Sequence, residues 1–283
     1  MGILGIDIGG TNIRVGLVED SKLLSIESSE IKKGGTQKEI LNSLFRMIEK
    51  FDTKQIKGIG IGVPSVVDVE NGIVYNVQNI PSWKKVHLKK ILETEYKVPI
   101  YINNDANCFV VGEKYFGKVK QYKDIIGLIM GTGLGAGIII NNKLYAGNNC
   151  GAGEFGMIPF KNKNYEYYCS GQYFLNEFGV SGDELSKKAL DRNQEAIKIF
   201  KKFGTNLGEA IKMIMYALDP EVIILGGSVS KSFQFFKDEM WNEIKGFSYS
   251  NSVERIKIEV SDIKNIAILG AAALLLDAQN KSV

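Results

Sequence analysis

The feature that most constrains this 283-residue chain is a short pattern that occurs twice. Two apolar, strand-like runs at 2–8 and 12–18 are joined by a glycine turn, and a tight turn then leads into a third run. The same order returns over residues 124–145, where Gly127 stands 122 positions after Gly5. Such a repeat predicts two related α/β lobes that face each other, each with a mixed sheet flanked by helices.

Strand and helix periodicities alternate through the remainder of the chain. Thr36 and Glu39 have the spacing of a capping box at the start of a helix. Helices are predicted at 36–51, 88–97, 106–116, 181–190, 193–218, 229–245 and 267–278, and further strands at 56–63, 100–103, 221–225 and 256–260. We predict a small N-terminal lobe of residues 1–106, on which a C-terminal helix at 266–283 packs, and a large lobe of residues 107–265.

Charge and composition narrow the class of function. Lys and Arg number 35 against 32 Asp and Glu, without a basic tail, which disfavours nucleic acid as the main partner. The longest apolar stretch, 266–276, is shorter than the roughly 20 residues that span a bilayer, and the N-terminus lacks signal-peptide features. We therefore expect a cytoplasmic protein without a membrane segment. The three cysteines form no CxxC pair and His87 is the only histidine, which disfavours a zinc site and histidine-dependent hydrolase mechanisms.

Glycine loops after apolar strands allow backbone N–H groups to approach phosphate oxygens closely. An ordinary hairpin turn is the alternative for either loop alone, but the duplication favours a nucleotide phosphate chain. The residues predicted to bind it are Asp7, Gly9, Gly10, Thr11, Gly131, Thr132 and Gly133. Gly226-Gly227, after a third apolar strand, predicts either a flat surface for a purine ring or a plain strand-to-helix turn.

Short strings of a recognisable kind are spread along almost the whole chain. They are Gly5-Ile-Asp7-Ile-Gly-Gly-Thr11, Gly62-Val-Pro64, Asn103-Asn104-Asp105-Ala-Asn107, Gly131-Thr-Gly-Leu-Gly-Ala-Gly137, Glu154-Phe-Gly156, and Leu218-Asp-Pro220 through Gly226-Gly227. Together these strings resemble the ROK family of sugar kinases and regulators, within the actin-like, sugar-kinase and heat-shock-ATPase superfold. The resemblance implies the two-lobed actin-like ATPase fold, ATP and Mg²⁺ as cofactors, and a homodimer.

The sequence departs from the family pattern near Glu154. The family usually follows this element with a histidine that helps to hold the sugar and ligates a structural zinc, but Met157 stands here. The cysteine-rich zinc loop is also missing, and Glu166 begins a string that resembles the segment just past that loop. The resemblance therefore implies a zinc-free variant in which Cys169 is not a zinc ligand. Met157 either packs in the core or faces the sugar.

The resemblance also assigns roles in catalysis. Asp105 is similar to the family's general base, which takes the proton of the sugar 6-hydroxyl while buried among hydrogen-bonding asparagines, although an N-cap of the helix at 106–116 is the alternative. Asp7 is expected to hold waters of the Mg²⁺ that bridges the phosphates, with a plain turn aspartate as the alternative. The sugar-binding candidates are Asn79, Asn104, Asp105, Glu154 and Glu166, each of which alone is also compatible with a surface position.

The resulting expectation is an ATP-dependent, Mg²⁺-requiring hexose kinase that phosphorylates the 6-hydroxyl of glucose or a relative such as mannose, N-acetylglucosamine or N-acetylmannosamine. Two alternatives are a sugar-sensing regulator and a sugar-binding scaffold without catalysis. The regulator is disfavoured because it carries a helix-turn-helix ahead of the first phosphate loop, where Asp7 leaves no room. The sequence does not distinguish the sugars, or ATP from polyphosphate as the phosphoryl donor.

Overall fold

A computed structural model gives the structure of the chain and describes residues 1–77, 80–148 and 150–280. In chain order, the strands are β1 (Gly2–Ile8), β2 (Asn12–Glu19), β3 (Lys22–Glu30), β4 (Ile56–Val63), β5 (Val66–Asp68), β6 (Ile73–Tyr75), β7 (Lys85–Val86), β8 (Ile100–Asn104), β9 (Ile125–Met130), β10 (Leu134–Ile140), β11 (Lys143–Leu144), β12 (Pro159–Phe160), β13 (Lys163–Asn164), β14 (Val222–Gly226) and β15 (Lys257–Val260). The helices are α1 (Gln37–Ile48), α2 (Leu88–Tyr96), α3 (Asp105–Phe116), α4 (Tyr165–Cys169), α5 (Gly171–Phe178), α6 (Gly182–Leu190), α7 (Gln194–Leu218), α8 (Phe233–Ile244), α9 (Ser250–Arg255) and α10 (Ile266–Gln279). None of these helices combines the length and the apolarity that are required to cross a membrane.

Two five-stranded sheets repeat one strand order. The first has the order β3-β2-β1-β4-β8 and the second the order β11-β10-β9-β14-β15. In the first sheet β1 pairs antiparallel with β2 and parallel with β4, and β4 pairs parallel with β8. In the second sheet β14 pairs parallel with both β9 and β15. The strand order confirms the repeat predicted from the sequence.

Short-range signals place most element boundaries correctly. Thr36 caps α1: its side chain accepts a hydrogen bond from the Glu39 amide, and the Glu39 carboxylate accepts one from the Thr36 amide. Strand β3, which is the third run of the predicted pattern, pairs with β2 as far as Glu30. The helix predicted at 229–245 begins with a 3-10 turn, Val229–Ser232, before α8.

Helix α10 packs on β1, β4 and α3. This contact explains a glycine in the middle of β4: a Cβ atom on Gly60 would lie 1.8 Å from the carbonyl oxygen of Ala271. A side chain at this position would therefore push the helix off the sheet. The close approach also explains why α10 is apolar along nearly its whole length, because both the sheet and α3 cover it.

The chain divides into two compact units. The first contains residues 1–121, 137–152 and 263–283, and the second contains residues 122–136 and 153–262. The first unit thus includes α3 and residues 137–152, which the predicted boundary at 106/107 assigned to the large lobe. The physical reason is packing, because α3 forms one of the most extensive contacts of the chain with α10. In the second unit, aromatic rings of α5, α7 and α8 pack against each other, among them Phe174, Phe203 and Phe236.

Candidate active site

In the first unit, the carboxyl ends of three parallel strands bring the predicted catalytic residues to one edge of the sheet. Asp7 at the end of β1 lies opposite Gly62 on β4, and Gly62 lies opposite Asn103 on β8. Asn104 then ends β8 and Asp105 begins α3. This edge is where α/β sheets commonly bind ligands, because the loops that follow the strands diverge there.

Asp7 is buried and forms an ion pair that the sequence analysis did not predict. Both the Nε and the Nη2 atoms of Arg14 donate to Asp7 Oδ2, at 3.0 and 2.5 Å. The two residues lie directly opposite each other in the β1–β2 hairpin. Asp7 therefore has a charged side-chain partner outside the glycine turn. Ile8 pairs with Ile13 and Asp7 with Arg14, so the turn contains four residues, one more than the predicted turn at 9–11. The predicted turn would not have placed Asp7 opposite Arg14, and the sequence analysis therefore missed this pair.

The first glycine loop is the turn between β1 and β2. The Gly9 amide donates to the carbonyl of Asn12 at 2.9 Å, which closes the turn. Gly10 stands between them, and the hydroxyl of Thr11, an exposed residue, accepts a hydrogen bond from the Asn12 side chain. The loop therefore lies beside the Asp7–Arg14 ion pair.

Asp105 differs from the sequence expectation in two respects. The N-cap of α3 is Asn104, whose side chain accepts a hydrogen bond from the Asn107 amide at 2.7 Å. Asp105 is the first residue of the helix, and its Oδ1 atom accepts from the Ala106 amide at 2.9 Å. The residue is also exposed, whereas we expected it to be buried. Its carboxylate therefore stands at the positive end of the helix dipole and is accessible from solvent.

A buried polar network surrounds the start of α3. The Asn103 side-chain oxygen accepts from the Asn104 amide at 2.9 Å, from the Asn107 side-chain amide at 2.8 Å and from the Cys150 thiol at 2.9 Å. The sequence analysis identified the asparagine string but not Cys150, which lies 47 residues away along the chain. No local pattern links these residues.

Cys108 lies beneath the same edge. Burial raises the pKa of its thiol well above the ordinary value, and the negative charges of Asp105 and Asp7 raise this pKa further. The thiol therefore stays protonated at neutral pH and does not act as a nucleophile. All three cysteines are buried, and none of them forms a disulfide bond.

In the second unit, a carboxylate holds the second glycine loop. The Leu134 amide donates to Glu166 Oε2 at 3.0 Å, and the Gly171 amide donates to the Gly131 carbonyl at 2.7 Å. A Cβ atom on Gly133 would lie 2.5 Å from Glu166 Oε2, so only glycine admits the carboxylate at this distance. The structure thus brings together two predicted elements, the loop and Glu166, that the sequence assigned to different substrates.

A cavity of about 210 Å³ lies beside this loop in the second unit. Gly131 and Thr132 form part of its wall. Further polar residues of the wall, which the sequence analysis missed, are Gln172, Ser181, Asp183, Ser228 and Ser232. Gly226 ends β14 and Gly227 follows it, and the Gly227 carbonyl accepts a hydrogen bond from the Ser230 hydroxyl at 2.8 Å. The strand-to-helix turn after β14 therefore leads directly into the wall of this cavity.

The remaining sugar-binding candidates are placed as follows. Glu154 is exposed and precedes the 3-10 turn Phe155–Met157. Glu166 is half-buried in α4. Met157 is 53% exposed, so core packing does not account for it. Asn79 lies outside the residues that the structure describes. His87 is exposed and occupies the N-cap position of α2, where its side chain makes no capping hydrogen bond.

The hairpin β12–β13 lies at the position of the missing zinc loop, and Lys161 in its turn contacts the neighbouring helices. Lys161 Nζ donates to Asn206 Oδ1 at 2.6 Å and lies 5.0 and 5.1 Å from the ring centres of Phe160 and Tyr168. An ammonium group between two aromatic faces and an amide oxygen links the hairpin to α4 and α7. Within the described part of the chain, no three or more His, Cys, Asp or Glu residues are grouped to hold a metal ion.

The sequence of the chain is similar to those of known proteins over almost its whole length. The sequence matches the ROK family over residues 3–278. The chain is 29% identical to the xylose repressor of Caldicellulosiruptor bescii, over 97% of this chain and 78% of the repressor. It is 27% identical to the glucokinase of Thermotoga maritima, over 96% of both chains.

A solved structure of a ROK protein has a fold similar to that of this chain. A ROK family glucokinase from Streptomyces griseus, in complex with glucose and AMPPNP, superposes with a TM-score of 0.79 at 25% identity, over 97% of this chain and 99% of that one. The two sheets of identical strand order are those of the actin-like ATPase fold. From its sequence and its fold alike, the chain belongs to the ROK family.

Proposed function

We propose that this protein is an ATP-dependent hexose kinase that transfers the γ-phosphoryl group to the 6-hydroxyl of glucose or a related hexose. The observation that carries the proposal is the sheet edge of the first unit. There, an exposed carboxylate at the start of α3 follows an asparagine segment on β8, and Asp7 stands on the same edge after β1. Further support comes from the glucokinase of T. maritima and the S. griseus glucokinase complex.

In the proposed reaction, the Asp105 carboxylate accepts the proton of the sugar 6-hydroxyl as its oxygen attacks the γ-phosphorus of ATP. A new oxygen–phosphorus bond forms, and the bond between the γ-phosphorus and the β–γ bridging oxygen breaks. The products are the hexose 6-phosphate, ADP and the proton. A positioned base of this kind contributes about 10²–10⁴-fold to the rate.

The residues at the first glycine loop fit a magnesium site of the water-mediated kind. Mg²⁺ is commonly held by one or two carboxylates and several waters together with the phosphates, and when bound it spreads the charge of the transferring group. We assign this role to Asp7. Because both Arg14 nitrogens donate to Oδ2, we assign the contact with a magnesium-bound water to Oδ1. Gly9, Gly10 and Thr11 would receive the phosphate oxygens.

The second unit has nucleotide-binding candidates of its own. We assign the phosphates to the loop Gly131, Thr132 and Gly133, and the adenosine to the cavity beside it. The cavity offers a carboxylate from Asp183 and hydroxyl groups from its serines, which suit ribose hydroxyls and ring nitrogens. Gly226 and Gly227 would form the surface for the purine.

For the sugar we assign Asn104, Glu154 and Glu166, with Asn79 as a further candidate. The amide and the carboxylates supply both donors and acceptors for a polyhydroxylated ring. The exposed Met157 replaces a polar contact, which would relax selection around C1 and C2 of the sugar. Mannose, N-acetylglucosamine and N-acetylmannosamine are therefore part of the proposed substrate range beside glucose.

The test is release of ADP by the purified protein with Mg²⁺, ATP and each of these hexoses. We expect turnover with at least one hexose and a loss of about 10³-fold in kcat for Asp105→Asn, because that variant keeps the shape but not the base. The matched control is Asp238→Asn, an exposed aspartate on α8. An Asp105→Asn protein that keeps more than a tenth of the wild-type kcat would remove Asp105 from this role.

This assay and a direct measurement of hexose 6-phosphate separate the alternatives. Absence of ADP release with every hexose, together with absence of hexose 6-phosphate when polyphosphate replaces ATP, would contradict the kinase proposal. A sugar-binding scaffold or regulator would then remain, the latter represented among the relatives by the xylose repressor. We further propose a homodimer in solution, and sedimentation equilibrium measures it directly.

A further inference from the structure

The residue that draws attention in the first unit is Cys150. It is 3% exposed, and its backbone has φ of +57°, in the left-handed region that favours glycine. Glycine would adopt this backbone conformation without strain, so the conformation itself does not favour a cysteine at position 150. A non-glycine residue persists in such a conformation where its surroundings over-determine it.

The thiol and the carbonyl of Cys150 contact asparagines on both sides of Asp105 in the sequence. The thiol donates to Asn103 Oδ1 at 2.9 Å, and its sulfur atom lies 3.5 Å from the donor Asn107 Nδ2. The carbonyl of Cys150 accepts from Asn104 Nδ2 at 3.4 Å. The left-handed backbone is what allows one residue to present both its thiol and its carbonyl to the same segment.

The contacts of Cys150 are linked to Asp105 through the backbone of the asparagines on either side of it. Asn103 Oδ1 holds the amide of Asn104, and the side chain of Asn104 caps α3 by accepting from the Asn107 amide. Asn103, Asn104 and Asn107 are all buried, so this network has little access to water that might replace a lost donor. Asp105 itself is exposed, directly follows Asn104 and is the first residue of α3.

We propose that Cys150 is a positioning residue for the Asn104–Asp105 segment, and that its thiol fixes the start of α3 by donating to Asn103. This inference rests on the proposed function for its catalytic consequence, but its structural content is independent of it. The thiol forms no bond to a substrate and undergoes no chemical change. It acts through Asn103 as one donor of a buried network.

Three substitutions separate the thiol from the backbone. Cys150→Ser keeps a donor, Cys150→Ala removes the donor, and Cys150→Gly removes the donor and also relieves the left-handed backbone. We expect Cys150→Ala and Cys150→Gly to lower kcat/KM for the hexose about tenfold, through both kcat and the hexose KM, with the KM for ATP unchanged. Cys150→Ser should restore kcat/KM to within about threefold of wild type. The matched control is Cys169→Ala, which removes another fully buried thiol, in the second unit.

A second measurement does not depend on activity. Amide hydrogen exchange should be faster at Asn104 and Asn107 in Cys150→Ala and Cys150→Gly, and unchanged there in Cys150→Ser and Cys169→Ala. Unchanged exchange and kinetics in Cys150→Ala would overturn the proposal, as would equal losses in Cys150→Ser or in Cys169→Ala. If the wild-type protein phosphorylates no hexose but the exchange pattern appears, the proposed function fails and the positioning role stands.

Discussion

The two glycine loops have the same place in the repeat but are held in different ways. The first loop lies next to an ion pair between two residues of its own hairpin, Asp7 and Arg14. The second loop is held by a carboxylate from a helix outside its hairpin, because Glu166 on α4 accepts from the Leu134 amide. The two halves of the repeat thus share the position of the loop but differ in its closing hydrogen bond and in the charges beside it.

The different surroundings of the two loops indicate different contributions to function. At the first loop the carboxylate is already neutralised by a guanidinium group, so its charge is balanced before any cation arrives. At the second loop the Glu166 carboxylate accepts from the backbone amide of Leu134, which carries no charge. This contact does not balance the negative charge of Glu166, which can therefore attract hydrogen-bond donors of a ligand. We therefore expect changes at the first loop to alter magnesium dependence and changes at the second to alter substrate affinity.

Among substitutions at the two loops and their supporting residues, the largest effect is expected for Asp7→Asn. Loss of the carboxylate removes the proposed support of the magnesium-bound water and leaves Arg14 without its counter-charge, so kcat should fall on the order of 100-fold. The half-saturating Mg²⁺ concentration should rise as well. Steady-state assays over a magnesium series measure both quantities, with Asp238→Asn as the control. An unchanged magnesium dependence would break the assignment of the metal to the first loop.

An intermediate effect is expected at Glu166, where two substitutions separate its two proposed contacts. Glu166→Ala removes the acceptor of the Leu134 amide, and the KM for ATP should rise about tenfold. Glu166→Gln keeps an oxygen acceptor but not the charge, so the KM for ATP should stay within about twofold while the hexose KM rises about tenfold. Glu195→Ala, at an exposed position on α7, is the control. Equal effects of both substitutions on the KM for ATP would show that the backbone contact does not support the loop.

The smallest effect is expected for Arg14→Gln. The Arg14 side chain is 39% exposed, so its ion pair with Asp7 is partly screened by solvent. Removal of this positive charge makes the site of Asp7 more negative, and the half-saturating Mg²⁺ concentration should fall about threefold. Arg46→Gln, at an exposed arginine on α1, should leave it unchanged. A rise instead of a fall would show that Arg14 assists the metal site rather than competing with it.

Local signals in the sequence predicted much of the fold. The capping box of Thr36 and Glu39 and the glycine turn at 9–11 depend on contacts within a few residues, and the structure has both. Asp105 shows the limit of such signals. Aspartate and asparagine are similarly good N-caps, so the sequence alone did not show that Asn104 takes this position and leaves Asp105 exposed.

The sequence by itself determined the duplicated sheet order and the family, because strand alternation, glycine turns and family strings are properties of neighbouring residues. Only the tertiary structure decided which distant residues form hydrogen bonds to the segments of the candidate site. Cys150 contacts Asn103 across 47 residues and Glu166 contacts Leu134 across 32, and neither pair leaves a periodic pattern. The physical reason is that a hydrogen bond between distant residues depends on how elements pack, and packing is set by the whole chain rather than by any one segment.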